Sequence, residues 1–176
     1  HLVRSKNDCI MSTSKSINYD NSLLNCRIDG LNNSNPDLFI IDLNLKLKRK
    51  LGLNSLLNKR KTFLITLKKN HKKITNYKKL GYKFILINSL ENKDDFNELC
   101  KRIYKIGYTN ILVESGLTFL NYLIKNKMMN DLYIFKTNYN LGKNGKNNDT
   151  IAYLKKNYPK QVTINLNGDE LFIKKF

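Results

Sequence analysis

The sequence has few of the residues that most often bind metals or form disulfides. Its 176 residues include only three cysteines and two histidines. Cys9, Cys26 and Cys100 are widely spaced and form no C-x-x-C pair, so neither a disulfide framework nor a zinc site is indicated. His1 and His71 are too far from any cysteine pair to complete a ligand set. We therefore expect no metal site, and we expect the reducing cytoplasm as the setting of the protein.

The sequence also lacks the common signatures of hydrolytic catalysis. It contains no G-x-S-x-G elbow, no P-loop and no H-E-x-x-H, and only two histidines are available for a Ser/His/Asp arrangement. No run approaches the ~18 apolar residues of a membrane span, so we expect a soluble protein without membrane contacts. Hydride transfer from a bound nicotinamide fits this inventory better, because the cofactor then carries the reaction.

Basic residues greatly outnumber acidic ones. The net charge of +18 raises nucleic-acid binding as an alternative function. However, the chain has 27 lysines and 27 asparagines but five arginines and one alanine, a skew typical of A+T-biased coding, and its basic residues are scattered. Nucleic-acid binding is therefore the less favoured interpretation. Where lysine is so common, an arginine indicates a need for its planar, bidentate fork, and Arg4 and Arg27 stand out.

Short apolar runs alternate with helical stretches, which indicates a single α/β domain. The 41% hydrophobic content is sufficient for one core in a chain of this length. We predict helices over 72–80, 94–106 and 117–126, and the first two should stop at Gly81 and Gly107. The predicted strands are 8–12, 38–43, 62–67, 83–88, 110–114 and 131–136.

The end of the sequence predicts an antiparallel hairpin. Residues 161–166 and 170–176 flank Asn167-Gly168, a dipeptide that readily adopts the positive φ angles of a type I′ turn. The predicted sheet is therefore mixed. Two polar stretches, 13–36 and 141–150, are predicted to be long irregular segments, which are typically functional or disordered.

Two stretches are candidates for a ligand site. In NILVESGLTFLNYLI, an apolar strand runs into Glu114-Ser115-Gly116 and then a helix, a junction that can hold a phosphate or be a plain turn. A carboxylate such as Glu114 at the end of an apolar strand needs a partner or a ligand. In the second stretch, Arg4 precedes a strand and Asp20 and Arg27 follow it. An Asx turn at Asp20 and a solvated Arg27 remain open alternatives.

Taken in order, these pieces resemble the reductase domain of the bifunctional riboflavin-biosynthesis deaminase/reductase. The matching pieces run from residue 1 to about Gly142: His1-Leu2-Val3-Arg4, Asp8-Cys9-Ile10-Met11, Asp20-Asn21-Ser22-Leu23-Leu24-Asn25-Cys26-Arg27, Ile41-Asp42, Val113-Glu114-Ser115-Gly116, Asp131-Leu132-Tyr133-Ile134 and Leu141-Gly142. The resemblance implies an α/β, dihydrofolate-reductase-like three-layer domain with a mixed, mainly parallel sheet and an antiparallel C-terminal hairpin.

The resemblance also implies a function. The family reduces 5-amino-6-(5-phosphoribosylamino)uracil to the ribitylamino compound by hydride transfer from NADPH. A related dihydrofolate-reductase-like enzyme with another substrate remains an alternative. By position, the resemblance implies substrate contacts at Arg4, Leu24, Arg27 and Glu114, and cofactor contacts at Ser16, Asp20, Gly116, Leu117 and Thr118. No catalytic proton donor is assigned.

The sequence departs from the family pattern at several points. The usual D-N-P-x-L-T-x-R reads D-N-S-L-L-N-C-R, the usual E-G-G reads E-S-G, and Leu43 stands where a small polar cofactor contact is common. The family's first strand is expected upstream of His1, and the deaminase signature is absent from this sequence, which leaves open whether a deaminase domain is fused upstream. We therefore expect 1–176 to be an N-terminally incomplete reductase domain that lacks its first strand. The resemblance also implies a homodimer, because members of the family commonly associate through this domain.

Overall fold

A computed structural model of the chain describes residues 1–30, 35–137, 161–166 and 168–176, with the backbone alone given for 161–166. The chain divides into two compact units, His1–Ser115 and Gly116–Phe176. None of the helices in these described segments is long and apolar enough to span a membrane.

The first unit is built on a five-stranded parallel sheet. Its strands pair in the order β4-β3-β2-β1-β5, where β1 is Cys9–Thr13, β2 is Asp37–Ile41, β3 is Thr62–Leu67, β4 is Lys83–Ile87 and β5 is Ile111–Val113. The five strands confirm the predicted ones, with ends that differ by no more than two residues. Since β1 pairs with both β2 and β5, it lies inside the sheet.

The central strands are buried on both faces. Ile10, Leu38, Phe39 and Ile40 are all 0% exposed, so successive side chains of one strand lie in the interior. This burial explains why the strands appear in the sequence as continuous apolar runs rather than alternating patterns. One core cluster consists of Ile10, Ile17, Leu24, Leu38, Ile40, Leu47, Leu51, Leu53, Leu64, Tyr77 and Tyr82.

The helices of the first unit agree only partly with prediction. They are α1 (Leu2–Ser5), α2 (Ser14–Asp20), α3 (Thr75–Lys79) and α4 (Lys93–Lys105), with 3-10 turns at Gly52–Leu56 and Lys68–Asn70. Gly81 and Gly107, at φ +103° and +102°, directly follow the C-caps of α3 and α4, which confirms both predicted stops. The prediction that 13–36 is irregular is wrong for α2.

The second unit contains α5 (Leu117–Lys125) and strands β6 (Asp131–Lys136), β7 (Gln161–Leu166) and β8 (Asp169–Lys175). The strands pair antiparallel in the order β6-β8-β7, which confirms the predicted hairpin. Among the described residues, the parallel and antiparallel strands thus form two separate hydrogen-bonded sheets. Gly168 has φ +97°, whereas Asn167, the predicted loop 141–150 and the motif Leu141-Gly142 lie outside the described residues.

Candidate active site

The strand order creates a switch point between β1 and β5. From β1 the chain adds β2, β3 and β4 on one side, and it then returns to place β5 on the other side of β1. In open α/β sheets, ligands bind at the carboxyl ends of the strands where the order reverses in this way. At that edge, β1 is followed by the first turn of α2, and β5 is followed by Glu114 and Ser115.

Glu114 is held at this edge by a bidentate ion pair with Arg4. Arg4 Nε donates to Glu114 Oε1 and Arg4 Nη2 donates to Oε2, each over 2.7 Å. The two side chains are only 19% and 30% exposed, respectively. The hydrogen bonds to Glu114 raise the pKa of Arg4 above its ordinary value. The backbone N–H of Glu114 donates to Met11 O of β1 over 3.0 Å, which fixes the residue beside the sheet.

The third donor of Arg4 reaches the loop between α2 and β2. Arg4 Nη1 donates to the carbonyl of Asn25 over 2.8 Å. Arg4 therefore joins two of the predicted site segments, the 21–27 loop and the end of β5. The sequence predicted each segment separately, and the structure brings Arg4, Glu114 and this loop together.

A second arginine, Arg60, holds the same loop from the interior. Its side chain donates from Nη1 to Leu24 O and from Nη2 to Leu23 O, and Nη1 also lies 3.3 Å from Pro36 O. Burial lowers the pKa of Arg60 to about 10. The carbonyls of residues 23, 24 and 25 are thus held by two guanidinium groups.

Further polar contacts fix both ends of the 21–27 loop. Asn21, which ends α2 in the left-handed region at φ 47°, accepts a hydrogen bond from Gly52 N through Oδ1. Near the other end, Cys26 N donates to Asn35 Oδ1 over 3.0 Å. Both contacts join an asparagine side-chain oxygen to a main-chain N–H group, and the contact of Asn21 reaches Gly52 rather than a neighbouring residue, so it is not an Asx turn.

His1 contacts the loop through one ring nitrogen. Nδ1 lies 3.1 Å from both Arg27 N and Asn25 O. An unprotonated Nδ1 accepts from the N–H of Arg27, whereas a protonated Nδ1 donates to the carbonyl of Asn25. The two hydrogen bonds are therefore alternatives, and the tautomer of His1 selects between them.

A network of hydroxyls and one buried carboxylate lies where β1 and β2 end. Thr13 caps α2, since its Oγ1 accepts from Ser16 N and lies 3.0 Å from Ser16 Oγ. Ser14 Oγ donates to Asp42 Oδ1 over 2.9 Å. Asp42 is 2% exposed and also accepts from the N–H groups of Lys46 and Leu47, so its carboxylate stabilises the turn after β2.

The remaining predicted site residues differ in their surroundings. The Leu24 side chain is 6% exposed and packs in the core, so its main chain is the part that faces polar groups. The Arg27 side chain is exposed, and Asp20 is exposed at the end of α2. None of these observations tests the ligand contacts, which stay predictions.

The three predicted cofactor contacts at 116–118 lie at the start of α5 in the second unit. Gly116 is the N-cap, with no hydrogen bond from a capping side chain, and Gly116 and Thr118 are exposed. The first N–H groups of a helix and its dipole favour an anion. Among the described residues, no group of three or more His, Cys, Asp or Glu side chains could hold a metal ion.

Sequence reasoning missed three contributors to the site. Arg60 belongs to no motif, although the scarcity of arginine that selected Arg4 and Arg27 applies to it equally. Asn25 contributes its carbonyl and Asn35 its side chain to the loop, and asparagine is too common in this sequence to be noticed.

The fold is that of a known class of enzyme domain. The family model of the RibD C-terminal domain matches residues 1–150. Because that match covers most of the chain, the chain belongs to the RibD C-terminal domain family. No curated protein sequence matches it.

Solved structures show the same dihydrofolate-reductase-like α/β fold. Riboflavin biosynthesis reductase Rib7 of Saccharomyces cerevisiae matches with a TM-score of 0.73 and 20% identity, over 99% of this chain and 78% of that one. The RibD protein of Acinetobacter baumannii matches with a TM-score of 0.70 and 15% identity, over 97% of this chain and 47% of that one. The diaminohydroxyphosphoribosylaminopyrimidine deaminase/5-amino-6-(5-phosphoribosylamino)uracil reductase of Thermotoga maritima matches with a TM-score of 0.70 and 15% identity, over 99% and 47%. The chain thus spans about half the length of these two bacterial proteins.

Proposed function

We propose that this chain is the NADPH-dependent reductase part of a riboflavin-biosynthesis enzyme. Its reaction is the reduction of 5-amino-6-(5-phosphoribosylamino)uracil to the ribitylamino compound. Membership of the RibD C-terminal domain family supports the class of reaction. The observation that carries the proposal is the position of Glu114 at the carboxyl end of β5, beside the switch point and held by Arg4.

The substrate side of the site has one fixed cation and one exposed cation. Arg4 already directs Nε, Nη1 and Nη2 at protein acceptors, so it holds Glu114 and the 21–27 loop in place. Arg27, on the same loop, is exposed, and its guanidinium has the fork geometry that matches a phosphate. We assign Arg27 to the substrate phosphate and Glu114 to the orientation or polarisation of the pyrimidine, next to the backbone of Leu24.

The cofactor side is compatible with NADPH. Ser16 lies in the first turn of α2, directly after β1, and Asp20 lies at its exposed end, where a carboxylate can accept from a ribose hydroxyl or an amide. The start of α5, with glycine as its N-cap, suits the pyrophosphate and would use residues 116–118. When bound, NADPH supplies the hydride, and the chain orients the substrate and excludes water from it.

The remaining aspects of the proposal follow from the class of enzyme. The substrate is a small phosphoribosylaminopyrimidine, the protein works in the cytoplasm, and two copies associate through this domain. These three statements are predictions, and size-exclusion chromatography with light scattering tests the last one.

The direct test is an assay of the full-length protein. NADPH should raise its melting temperature, and the pyrimidine should cause NADPH to be oxidised. Arg27→Ala should raise KM for the pyrimidine about 10- to 100-fold, because a charge-assisted hydrogen bond contributes roughly 1.5–3 kcal/mol. The NADPH dissociation constant should not change.

Lys101→Ala is a matched control, since Lys101 is an exposed cation on α4. It should leave both constants unchanged. The proposal fails if the full-length protein shows neither an NADPH-dependent melting shift nor turnover. Steeply salt-dependent binding to DNA or RNA in the same preparation would then support the nucleic-acid alternative.

A further inference from the structure

Arg60 is a buried cation that has no carboxylate partner among the described residues. It is 6% exposed, and neither of the ion pairs in those residues includes it. Its two terminal nitrogens donate instead to the main-chain carbonyls of Leu23, Leu24 and Pro36. Burying a charge is costly unless hydrogen bonds compensate it, and here neutral main-chain carbonyls provide those hydrogen bonds.

The positions of these carbonyls require the planar fork of a guanidinium. Nη1 and Nη2 of Arg60 reach adjacent carbonyls, and a lysine ammonium is a single point that cannot span two acceptors with the same planarity. Lysine makes up 27 of the 32 basic residues in this chain, so a lysine would be the expected residue if position 60 needed only a positive charge. We therefore attribute the arginine at this position to the geometry of its guanidinium.

The carbonyls that Arg60 holds are next to the one that Arg4 holds. Arg60 fixes residues 23 and 24, and Arg4 fixes residue 25 while it grips Glu114. Leu24 has φ 48°, a left-handed conformation that an L-residue with a Cγ branch rarely adopts without support. Leu24 therefore has a strained backbone whose own carbonyl is held by Arg60, and the carbonyl of the next residue is held by Arg4.

We propose that Arg60 is a positioning residue for the pyrimidine substrate, which acts by holding the 21–27 loop so that Arg27 and the Arg4–Glu114 pair face one site. This inference rests on the proposed function, because Arg27 and Glu114 are substrate contacts only there. Arg60 itself touches neither ligand. Its loss should weaken pyrimidine binding much more than NADPH binding, since α2 is capped separately by Thr13.

Arg60→Lys in the full-length protein tests the inference. The variant retains the charge and most of the stem but loses the fork. KM for the pyrimidine should rise at least about 10-fold, because a charge-assisted hydrogen bond to the substrate that is no longer aligned loses most of its contribution to binding. The NADPH dissociation constant should change less than about 2-fold by the same argument, since no cofactor contact moves. Hydrogen exchange should become faster in 22–27 and stay slow in β3.

Arg102→Lys is the matched control. Arg102 on α4 also donates from Nη1 to a carbonyl, that of Leu86, over 2.7 Å, and it is half-buried. It contacts a different segment, so the control should leave KM and the exchange of residues 22–27 unchanged. If Arg102→Lys raises KM to the same extent, a general loss of stability explains both variants and the inference is wrong.

Other outcomes also decide the question. An unchanged KM in a folded Arg60→Lys protein overturns the inference, as does a parallel rise in KM and in the NADPH dissociation constant. If Arg60→Lys does not fold, Arg60→Met removes the charge together with the fork and is judged by the same criteria; if neither variant folds, Arg60 serves folding alone. If the wild-type protein has no turnover, the proposed function fails, and unchanged exchange of 22–27 in the variant would separately refute the role of Arg60 in the loop.

Discussion

Replacing Glu114 by glutamine tests how strongly the Arg4–Glu114 pair holds the site together. Glutamine preserves the size of the side chain but removes its charge, and it places an NH₂ group opposite one of the two N–H donors of Arg4. One hydrogen bond then remains, from the charged guanidinium to a neutral amide oxygen, and the other is lost. The loop carbonyl of Asn25 is left to hold Arg4.

The magnitude follows from the exposure of the pair. Hydrogen bonds to charged groups contribute about 1.5–3 kcal/mol, whereas fully exposed ion pairs contribute about 0–1 kcal/mol. The side chains of Arg4 and Glu114 are 19% and 30% exposed, so the pair lies between these limits and nearer the first. We expect Glu114→Gln to lower the free energy of unfolding by about 2 kcal/mol and Tm by about 4–8 °C in a protein of this size.

Thermal unfolding followed by circular dichroism at pH 7 measures this loss. Glu170→Gln provides the control, because Glu170 forms a single 2.7 Å contact with Lys136, whose side chain is 50% exposed. That variant should lose less than about 0.5 kcal/mol. In a double-mutant cycle with Arg4→Met, the combined loss should be smaller than the sum of the single losses. Equal Tm values for Glu114→Gln and Glu170→Gln, or strict additivity in the cycle, would refute the reasoning.

Two further predictions concern parts of the chain outside the site. Hydrogen bonds from Asn110 N, Thr109 N and Thr109 Oγ1 lower the pKa of Asp8 in the folded protein. Asp8 therefore stabilises the fold fully above its unfolded pKa of about 3.9, and this stabilisation is lost as the pH falls through the lower folded pKa. Asp8→Asn should therefore flatten the acid limb of the stability–pH curve measured by urea unfolding, and an unchanged acid limb contradicts the assignment. Asn92 caps α4 by accepting from Asp95 N over 2.9 Å, so Asn92→Ala should cost about 1 kcal/mol in urea unfolding, and Asn97→Ala within the helix, which removes no cap, should cost less.

The central strands of the parallel sheet could be predicted from the sequence because they are buried on both faces. Runs such as Leu38–Ile41 remain apolar at every position, which marks a strand whatever its neighbours are. The ends of α3 and α4 could also be predicted from a few neighbouring residues. Helices commonly end with a residue in the left-handed conformation, and Gly81 and Gly107 adopt it readily. The helix α2 was missed because Ile17 is its one buried residue, and a single apolar position has no period.

The site was predictable only as separate pieces. Arg4 and Glu114 stood out as charged residues next to apolar strands, but they are 110 residues apart and no local pattern indicates that they form an ion pair. The partners of the 21–27 loop were harder still to infer, because Arg4 and Arg60 bind its main-chain carbonyls, which every residue has. No sequence motif records which carbonyls a side chain will hold.

Three of the five arginines in this chain share one physical role. The described lysines are exposed, except for the half-buried Lys174, whereas Arg4, Arg60 and Arg102 are partly or fully buried and each donates to a main-chain carbonyl. At these three positions arginine suits a cation that bonds inside the protein, because an ammonium is more strongly hydrated and loses more on burial. Arg27 and Arg49 are both exposed, so exposure alone assigns no ligand to either; Arg27 differs in that it lies on the 21–27 loop that Arg4 and Arg60 hold, and we therefore expect an external acceptor with two oxygens for it. A phosphate of the substrate meets that requirement. This expectation for Arg27 would be wrong if Arg27→Lys bound the pyrimidine as tightly as the wild-type protein in an equilibrium binding measurement.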